Sequence, residues 1–229
     1  MTVEFLIDGK AVSATGNRSF TRHDPVTGEV ASVAAAASVA DALGAVDAAA
    51  AAFPGWAASA PAERRKLLNK AADIMDAKAP DFIAAAVAET GATGPWIGFN
   101  VMLAANIIRE AAALVTQIGG EIIPSNKPGT LAMAVMKPRG VCLGIAPWNA
   151  PVILGTRAIA MAVACGNTVV FKSSEMCPAT HRLIGQCFAE AGLPAGVVNV
   201  ISNAPEDAAE IVAALINAPT VRHVNFTGS

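Results

Sequence analysis

Two short segments carry the side chains of this sequence that are best suited to chemistry. Residues 140–151, GVCLGIAPWNAP, lead from an apolar run into Asn149, whose amide can donate a hydrogen bond to a developing oxyanion. Residues 166–178, GNTVVFKSSEMCP, lead from a second apolar run into Lys172 and Glu175. A carboxylate can accept two hydroxyl protons from a 2′,3′-diol, so this pair suits a ribose. Taken alone, Lys172 and Glu175 are more simply a surface ion pair near the start of a helix.

The elements around these residues are predicted to bring both segments to one place. The apolar runs predict strands at 140–146, 168–172, 196–201 and 221–226. The patterns between them predict helices at 151–164, 178–191 and 206–217. Strands this apolar, joined by short connections, are typical of a parallel sheet covered on both faces. Right-handed crossovers then place all the strand ends at one edge, where open α/β sheets bind ligands.

The first part of the chain has a different pattern. Residues 4–36 alternate in short apolar segments separated by turn signals, which predicts a β-rich lead-in. Helical patterns follow, with starts and ends near 38–53, 61–77, 80–90 and 97–118. Ser38 and Asp41 have the spacing of a capping box, and Pro54-Gly55 is expected to end the first helix. We expect these helices to cover the sheet.

Residues 121–138, EIIPSNKPGTLAMAVMKP, are predicted to form a β-ribbon. Alternation places Leu131, Met133 and Val135 on one face, and an apolar face of this kind rarely stays exposed alone. The ribbon therefore either meets a partner or folds back onto the body of the protein. The predicted fold class is α/β: an open parallel Rossmann-like sheet flanked by helices, with an N-terminal helical and β lead-in and a protruding β-ribbon.

The bulk composition argues against several classes of partner. The net charge is −2 and no basic block is present, so neither nucleic acid nor an anionic membrane is an expected partner. No apolar segment of about 20 residues and no secretory signal are recognisable, so we expect a cytoplasmic protein. The four cysteines lack metal-ligand spacing, so we expect no metal and reduced, mostly buried thiols, none of them a nucleophile. The three histidines are scattered and expected to be structural: His23, His181 and His223.

Several ordered motifs together resemble the aldehyde dehydrogenase superfamily. They are LIDGK at 6–10, DPVTGEV at 24–30, PWNAP, the Lys-x-x-Glu of KSSE, and FTGS at the terminus. The resemblance implies that Asn149 is the oxyanion donor and that the cofactor is NAD, held by Ile145, Ala146, Pro147, Trp148, Lys172, Ser174, Glu175, Phe226, Gly228 and Ser229. Glu175 would also repel a 2′-phosphate, which favours NAD over NADP. The resemblance further implies that the 121–138 ribbon is an oligomerisation arm, so that the protein is a homo-oligomer.

The resemblance also implies a reaction and a domain organisation. The family oxidises an aldehyde to the carboxylic acid through a cysteine thiohemiacetal and thioester, and its nucleophile and glutamate base would lie beyond Ser229. We therefore expect a fragment that is inactive alone, with an N-terminal part of the cofactor-binding domain at 1–120, the ribbon at 121–138 and a Rossmann-like core at 139–229. The alternative is a non-catalytic nucleotide-binding or interaction module.

The run PWNAPVILGTRAIA is similar to that of salicylaldehyde, vanillin and benzaldehyde dehydrogenases, so the aldehyde is expected to be aromatic. Helical spacing of i, i+4 and i+8 would place Ile153 and Arg157 on the same face as Asn149. Arg157 then either meets a ring hydroxyl or phenolate of the substrate or forms a salt bridge on the helix surface.

Overall fold

The computed structural model describes residues 1–228 and contains three sheets and seven α-helices within that range. The strands are β1 (Thr2–Val3), β2 (Phe5–Ile7), β3 (Lys10–Val12), β4 (Ser19–His23), β5 (Val30–Ala35), β6 (Gly120–Ile123), β7 (Ala132–Val135), β8 (Val141–Ile145), β9 (Thr168–Lys172), β10 (Val198–Ile201) and β11 (Val221–Phe226). The helices are α1 (Val39–Ala57), α2 (Pro61–Ala77), α3 (Ala79–Thr90), α4 (Gly94–Leu114), α5 (Pro151–Ala164), α6 (Pro178–Ala191) and α7 (Ala208–Asn217).

The central sheet has six strands in the order β11-β8-β9-β10-β2-β3. Its first four strands are parallel, as the alternation of strands and helices after residue 140 predicts. The register aligns their carboxyl ends in one row, in which Phe226 pairs with Ile145, Ile145 with Lys172, and Lys172 with Ile201. The α/β fold with a Rossmann-like sheet flanked by helices is thus confirmed.

The sheet is nevertheless mixed, because the β-rich lead-in adds two antiparallel strands to it. Strands β2 and β3 form a hairpin whose turn residues Asp8 and Gly9 both have positive φ, which a tight two-residue turn requires. The pairing of Leu6 with Val200 then covers the outer edge of β10. This pairing joins residues almost 200 positions apart, so local patterns do not indicate it. The remaining lead-in strands form a separate sheet in the order β1-β5-β4.

Helices cover both faces of the central sheet. On one face, α1 and α7 pack on apolar side chains such as Leu143 and Val170. On the other, α5 and α6 pack on side chains such as Phe171, and α2 and α4 form a further layer over them. The expectation that the early helices all cover the sheet is therefore wrong for α2 and α4, which pack mainly on other helices.

Two helices, α1 and α4, have bounds that differ from the prediction by three residues or more. Helix α1 begins with the expected Ser38–Asp41 capping box but continues through Pro54 to Ala57. Its last turn is held by Trp56, which is buried and donates a hydrogen bond from Nε1 to the Val163 carbonyl at 3.0 Å. Packing at the end of this helix thus outweighs the unfavourable effect of an interior proline. Helix α4 begins at Gly94 and ends at Leu114, earlier than expected at both ends.

The predicted β-ribbon is present and protrudes from the body of the protein. Strands β6 and β7 pair only with each other within the described residues, with Ile122 opposite Met133. The apolar side chains of the ribbon are exposed, with 76% of Ile122 and 59% of Met133 accessible. The alternative in which the ribbon folds onto the body is therefore wrong.

Helix α4 is long and apolar enough to cross a membrane when only length and composition are considered. The expectation that no segment has these properties does not hold for it. A single helix of this kind is weak evidence for a membrane span, because a buried core helix of a soluble protein has the same length and composition. Eight α4 residues are buried, and the helix packs against α2, α3 and α5.

Candidate functional site

A cavity of about 370 Å³ lies at the carboxyl ends of the parallel strands. It brings together nine of the residues that the sequence singles out, namely Ile145, Ala146, Pro147, Trp148, Lys172, Ser174, Glu175, Phe226 and Gly228. The last predicted member, Ser229, lies outside the described residues. The two chemistry-bearing segments therefore do meet at one edge of the sheet, although the role of each residue there remains a prediction.

Lys172 and Glu175 form an ion pair in the cavity wall. Lys172 is the last residue of β9, and its Nζ lies 3.2 Å from Glu175 Oε2. The Lys172 side chain is only 7% exposed, whereas that of Glu175 is 31% exposed. The lysine is therefore held inside the wall, and the carboxylate is presented to the cavity with Oε1 making no hydrogen bond within residues 1–228.

Backbone hydrogen bonds hold the loop that links this pair. The Ser173 amide donates to the Ile201 carbonyl at 2.9 Å, which continues the pairing of β9 with β10 beyond Lys172. The Ser174 amide donates to His181 Nδ1 at 3.1 Å, and Ser174 Oγ accepts from the Met176 amide at 3.2 Å. The Ser173 and Ser174 amides thus fix the course of the loop, whereas the buried Ser173 hydroxyl has no hydrogen-bond partner among the described residues.

Asn149 lies next to the cavity, in the loop between β8 and α5. It is exposed, and its side-chain amide makes no hydrogen bond to any described residue. Its backbone carbonyl accepts a hydrogen bond from Trp96 Nε1 at 3.2 Å. The backbone of Asn149 is therefore held from α4 while its amide stays available to a ligand.

Trp96 and Phe99 are residues of this region that the sequence reasoning missed. Both project from α4, are partly exposed, and stack with ring centroids 5.7 Å apart. The predicted helix of 97–118 leaves Trp96 out, so the sequence does not place the two rings on one face; in the structure α4 begins at Gly94 and carries both. Three cavity residues were also missed, namely Ala208, Val212 and Thr227.

The two predicted substrate residues lie on α5 in different environments. Helix α5 begins at Pro151, so Asn149 precedes it and the i, i+4, i+8 relation does not include Asn149. Ile153 is buried and Arg157 is exposed. Arg157 makes no salt bridge among residues 1–228, so the alternative of a surface ion pair has no partner in that range.

The cavity chemistry fits a dinucleotide. Apolar side chains of Ile145, Val212 and Phe226 supply walls for flat rings, and Glu175 supplies an acceptor for ribose hydroxyls. At Gly228 a Cβ atom would lie 3.1 Å from the Phe226 ring, so a larger residue would crowd this part of the cavity. These residues could therefore hold NAD.

The thiols of the chain are poorly suited to nucleophilic attack. Burial raises the pKa of Cys142 to about 11 and that of Cys187 to about 12, and it also raises the pKa of Cys165. Cys177 is completely buried, and desolvation raises its pKa well above the usual value. All four are unpaired, as expected. A thiol with a raised pKa stays protonated near neutral pH and reacts slowly.

Comparison with known proteins identifies the class. Residues 11–229 match the aldehyde dehydrogenase family, and the chain belongs to that family. It is 63% identical over 227 residues to a vanillin dehydrogenase of Pseudomonas sp. (strain HR199 / DSM 7063), covering 99% of this chain and 47% of the relative. A salicylaldehyde dehydrogenase of Pseudomonas putida is 48% identical over 229 residues, with 100% and 47% covered.

Solved structures agree with this assignment. The salicylaldehyde dehydrogenase of Pseudomonas putida G7, complexed with salicylaldehyde, superposes with a TM-score of 0.98 at 48% identity, covering 100% of this chain and 47% of that one. An NAD-dependent benzaldehyde dehydrogenase from Corynebacterium glutamicum gives 0.94 at 32% identity, covering 99% and 49%. The chain thus spans about half the length of the relatives it matches.

Proposed function

We propose that this chain forms the cofactor-binding part of an NAD-dependent dehydrogenase that oxidises an aromatic aldehyde to the carboxylic acid. The observation that carries the proposal is the cavity at the strand ends, which places the Lys172–Glu175 pair beside the loop of Asn149. In this view Asn149 is the catalytic residue of the chain, and the nine cavity residues named above bind the cofactor together with Ser229.

The ribose of NAD would bind at Glu175. One carboxylate oxygen is paired with Lys172, and the other can accept hydrogen bonds from a 2′,3′-diol. A 2′-phosphate at this position would meet the carboxylate, so NADP is disfavoured. The NAD dependence of the benzaldehyde dehydrogenase neighbour supports the same choice. When bound, NAD supplies the hydride acceptor of the reaction.

Asn149 would bind the aldehyde oxygen. Its backbone is held by Trp96, so its amide can be oriented before the substrate binds. A donor of this kind stabilises the oxyanion that forms when a nucleophile attacks the carbonyl carbon, typically by about 3 kcal/mol. In the family's route the nucleophile is a cysteine thiolate that forms a thiohemiacetal; loss of a hydride, for which NAD would be the acceptor, gives a thioester, and water hydrolyses this to the acid. The four thiols of this chain have raised pKa values, so none is assigned that role.

The aromatic character of the substrate is supported by the side chains around Asn149. The stacked Trp96 and Phe99 rings offer a flat apolar wall, which suits a benzene ring. Arg157 is exposed and could meet a ring hydroxyl or phenolate, whereas Ile153, one turn earlier on α5, is buried. Relatives named as vanillin and salicylaldehyde dehydrogenases support a hydroxylated benzaldehyde.

The remaining proposals concern assembly and location. The exposed apolar side chains of the 121–138 ribbon support pairing with a second copy of the chain, since such a surface is unfavourable in water. A cytoplasmic location, the absence of nucleic-acid and membrane partners, and the division at residues 120 and 138 remain predictions.

The proposed function is tested with an active enzyme that contains these residues. NADH formation is followed with vanillin, salicylaldehyde and a linear aliphatic aldehyde, each with NAD and with NADP. We expect the highest kcat/KM with an aromatic aldehyde and NAD. Aliphatic aldehydes oxidised faster than both aromatic ones would contradict the substrate class. NAD binding without any aldehyde oxidation would instead favour a non-catalytic nucleotide-binding module.

A further inference from the structure

A buried histidine outside the cavity lies between the two loops of the site. His181, in the first turn of α6, is completely inaccessible to solvent. Its Nδ1 accepts the hydrogen bond from the Ser174 amide at 3.1 Å, so it contacts the cofactor loop between Lys172 and Glu175. Its Nε2 lies 3.6 Å from Cys177 Sγ. The residue therefore fixes the course of the loop that carries the ribose-binding pair.

The same ring packs against the helix that follows Asn149. A Cβ atom at Gly155 would lie 3.4 Å from His181 Cδ2, which shows how closely the imidazole approaches α5. Burial in this packing lowers the His181 pKa to about 3. One side chain thus contacts both the cofactor loop and α5, the helix that follows Asn149.

The protonation of His181 follows from these contacts. Because Nδ1 accepts a hydrogen bond from a backbone amide, it carries no proton, and the neutral ring must have its proton on Nε2. The Nε2 proton then faces Cys177 Sγ, a weak acceptor. Only this tautomer satisfies both ends of the ring.

Helix α6 holds the histidine rigidly. The buried Glu89 carboxylate of α3 accepts hydrogen bonds from the amides of Ala179 and Thr180 at 2.8 and 3.0 Å. It also accepts from Thr180 Oγ1 at 2.8 Å. Phe171 stacks on the imidazole at a tilt, with ring centroids 4.9 Å apart. The ring therefore cannot turn away from Ser174 without breaking the packing around it.

We propose that His181 is a positioning residue that links the Lys172–Glu175 loop to α5, the helix that follows Asn149, so that the ribose-binding pair and the oxyanion donor keep a fixed relation. The proposal rests on the proposed function for its kinetic consequence. Its structural basis is independent of that function, because the Ser174 hydrogen bond is present in the protein without ligand.

Three substitutions separate positioning from packing. In His181→Asn, Oδ1 can replace Nδ1 as the acceptor for Ser174, whereas the contact made by Nε2 is lost. In His181→Gln, the longer side chain can reach toward the Nε2 position but places no acceptor at Nδ1. His181→Leu keeps a side chain that fills the space but removes both the acceptor at Nδ1 and the contact made by Nε2. If the residue only fills space, leucine should be tolerated best; if it positions the loop, asparagine should be.

The kinetic test is carried out in an active enzyme that contains these residues. We expect KM for NAD to rise at least about tenfold in His181→Leu and His181→Gln, because a buried amide loses its acceptor, and to stay within about threefold of the parent in His181→Asn. Cys187→Ala is the matched control, since Cys187 is equally buried on α6 and makes no contact with the loop; it should leave KM for NAD unchanged. A KM for NAD in His181→Leu equal to or below that of His181→Asn would overturn the proposal.

A second measurement does not depend on activity. Amide hydrogen exchange of Ser174 in the protein without cofactor should be slow in the parent and in His181→Asn and faster in His181→Gln. Nitrogen NMR should show His181 Nδ1 unprotonated and Nε2 protonated at neutral pH. A protonated Nδ1, or equal Ser174 exchange in both variants, would refute the proposal even if the enzyme oxidises aldehydes. If aldehyde oxidation fails but the exchange pattern is as expected, only the proposed function is wrong.

Discussion

At the scale of single residues, the site depends on charged and polar groups placed at the border of a buried core. Lys172 is held in the wall by its ion pair with Glu175, and a partly buried pair of this kind is screened less by salt than a surface pair. Asn149 has a fixed backbone and an available amide. Glu175 and Asn149 differ from the surrounding core because each leaves one polar group available to a ligand: Oε1 of Glu175 and the side-chain amide of Asn149.

The first residue-scale prediction concerns cofactor choice. Replacing Glu175 by Gln removes the charge that repels a 2′-phosphate but keeps an acceptor for the ribose diol. We expect the ratio of kcat/KM for NAD over NADP to fall about tenfold, which corresponds to about 1.4 kcal/mol. Glu110→Gln, at an exposed position of α4, is the control. An unchanged ratio would show that Glu175 does not contact the 2′ position.

The second prediction concerns Arg157. If its guanidinium meets a ring hydroxyl, Arg157→Leu should raise KM for salicylaldehyde by about tenfold, because hydrogen bonds to charged groups are among the stronger ones. KM for an aliphatic aldehyde should change little. Steady-state kinetics with both substrates makes the comparison, and equal effects on the two would remove Arg157 from the substrate site.

The third prediction concerns stability against pH. Burial lowers the His181 pKa from 6.5 to about 3, so between these values the unfolded chain binds a proton that the folded chain does not. Stability is therefore lost as pH falls below about 6.5, at about 1.4 kcal/mol per pH unit. Relative to His181→Asn, the parent should lose about 2 kcal/mol of unfolding free energy between pH 7 and pH 5.

Urea unfolding at the two pH values measures this difference. The comparison with the variant is needed because burial also raises the pKa of Glu89. This shift increases the free energy of unfolding as pH falls, whereas the shift of His181 decreases it. A carboxyl with a raised folded-state pKa is favoured at low pH, and its contribution is lost as pH rises. The same pH dependence in parent and variant would mean that the pKa of His181 is the same in the folded and the unfolded protein.

At the scale of elements, the connections between strands and helices decide what the cavity contains. Helix α5 can approach β8 closely because residue 144 is glycine. A Cβ atom at this position would lie 3.0 Å from the Ala158 Cβ, so only glycine fits easily there. This packing fixes the start of α5 over the strand ends. The ribbon, in contrast, is not packed closely against another element. Strands β6 and β7 pair with each other, and their apolar side chains are not covered by any other described residues.

The element-scale prediction is that the ribbon mediates association. Met133→Asp places a charge on its apolar surface, opposite Ile122, and should shift the protein toward a smaller assembly because burying an unpaired charge is unfavourable. Light scattering after size-exclusion chromatography gives the mass. Val26→Asp, at a similarly exposed apolar position outside the ribbon, is the matched control. An unchanged mass in Met133→Asp would exclude the ribbon as the contact.

At the scale of the whole molecule, the 229 residues hold a candidate cofactor site without an activated nucleophile. All four thiols have raised pKa values, and three are buried. Strand β11 pairs only with β8 within residues 1–228, and Val224 and Phe226 on it are exposed. Within residues 1–228 we therefore propose cofactor-binding surfaces and an oxyanion donor, Asn149, and we assign no nucleophile.

The whole-molecule prediction is that a polypeptide of these 229 residues, assayed alone, does not form NADH from vanillin and NAD. Removal of a covalent nucleophile typically lowers rates by many orders of magnitude. The assay uses protein freed of longer forms, with alkylation of the thiols as a second arm. Turnover that persists after purification and disappears on alkylation would show that one of the four cysteines is the nucleophile.

The sequence by itself determined the elements after residue 140 and the family. Strands β8, β9 and β10 are fully buried there, and α5 and α6 begin at prolines, so local patterns suffice and both helices have the expected bounds. The residues of KSSE and PWNAP lie at strand ends, so their meeting at one edge followed from parallel topology. These features depend on short-range order along the chain, which a single sequence displays directly.

Only the tertiary structure decided the contacts between distant segments. The pairing of Leu6 with Val200, the hydrogen bond from Trp96 to Asn149, and the close approach of His181 to α5 all depend on how layers pack. From the sequence, His181 is expected to be structural because the three histidines are scattered along the chain. Its environment is created by residues of α5 and β9 that packing brings to it, and packing of this kind leaves no periodic signal in the sequence.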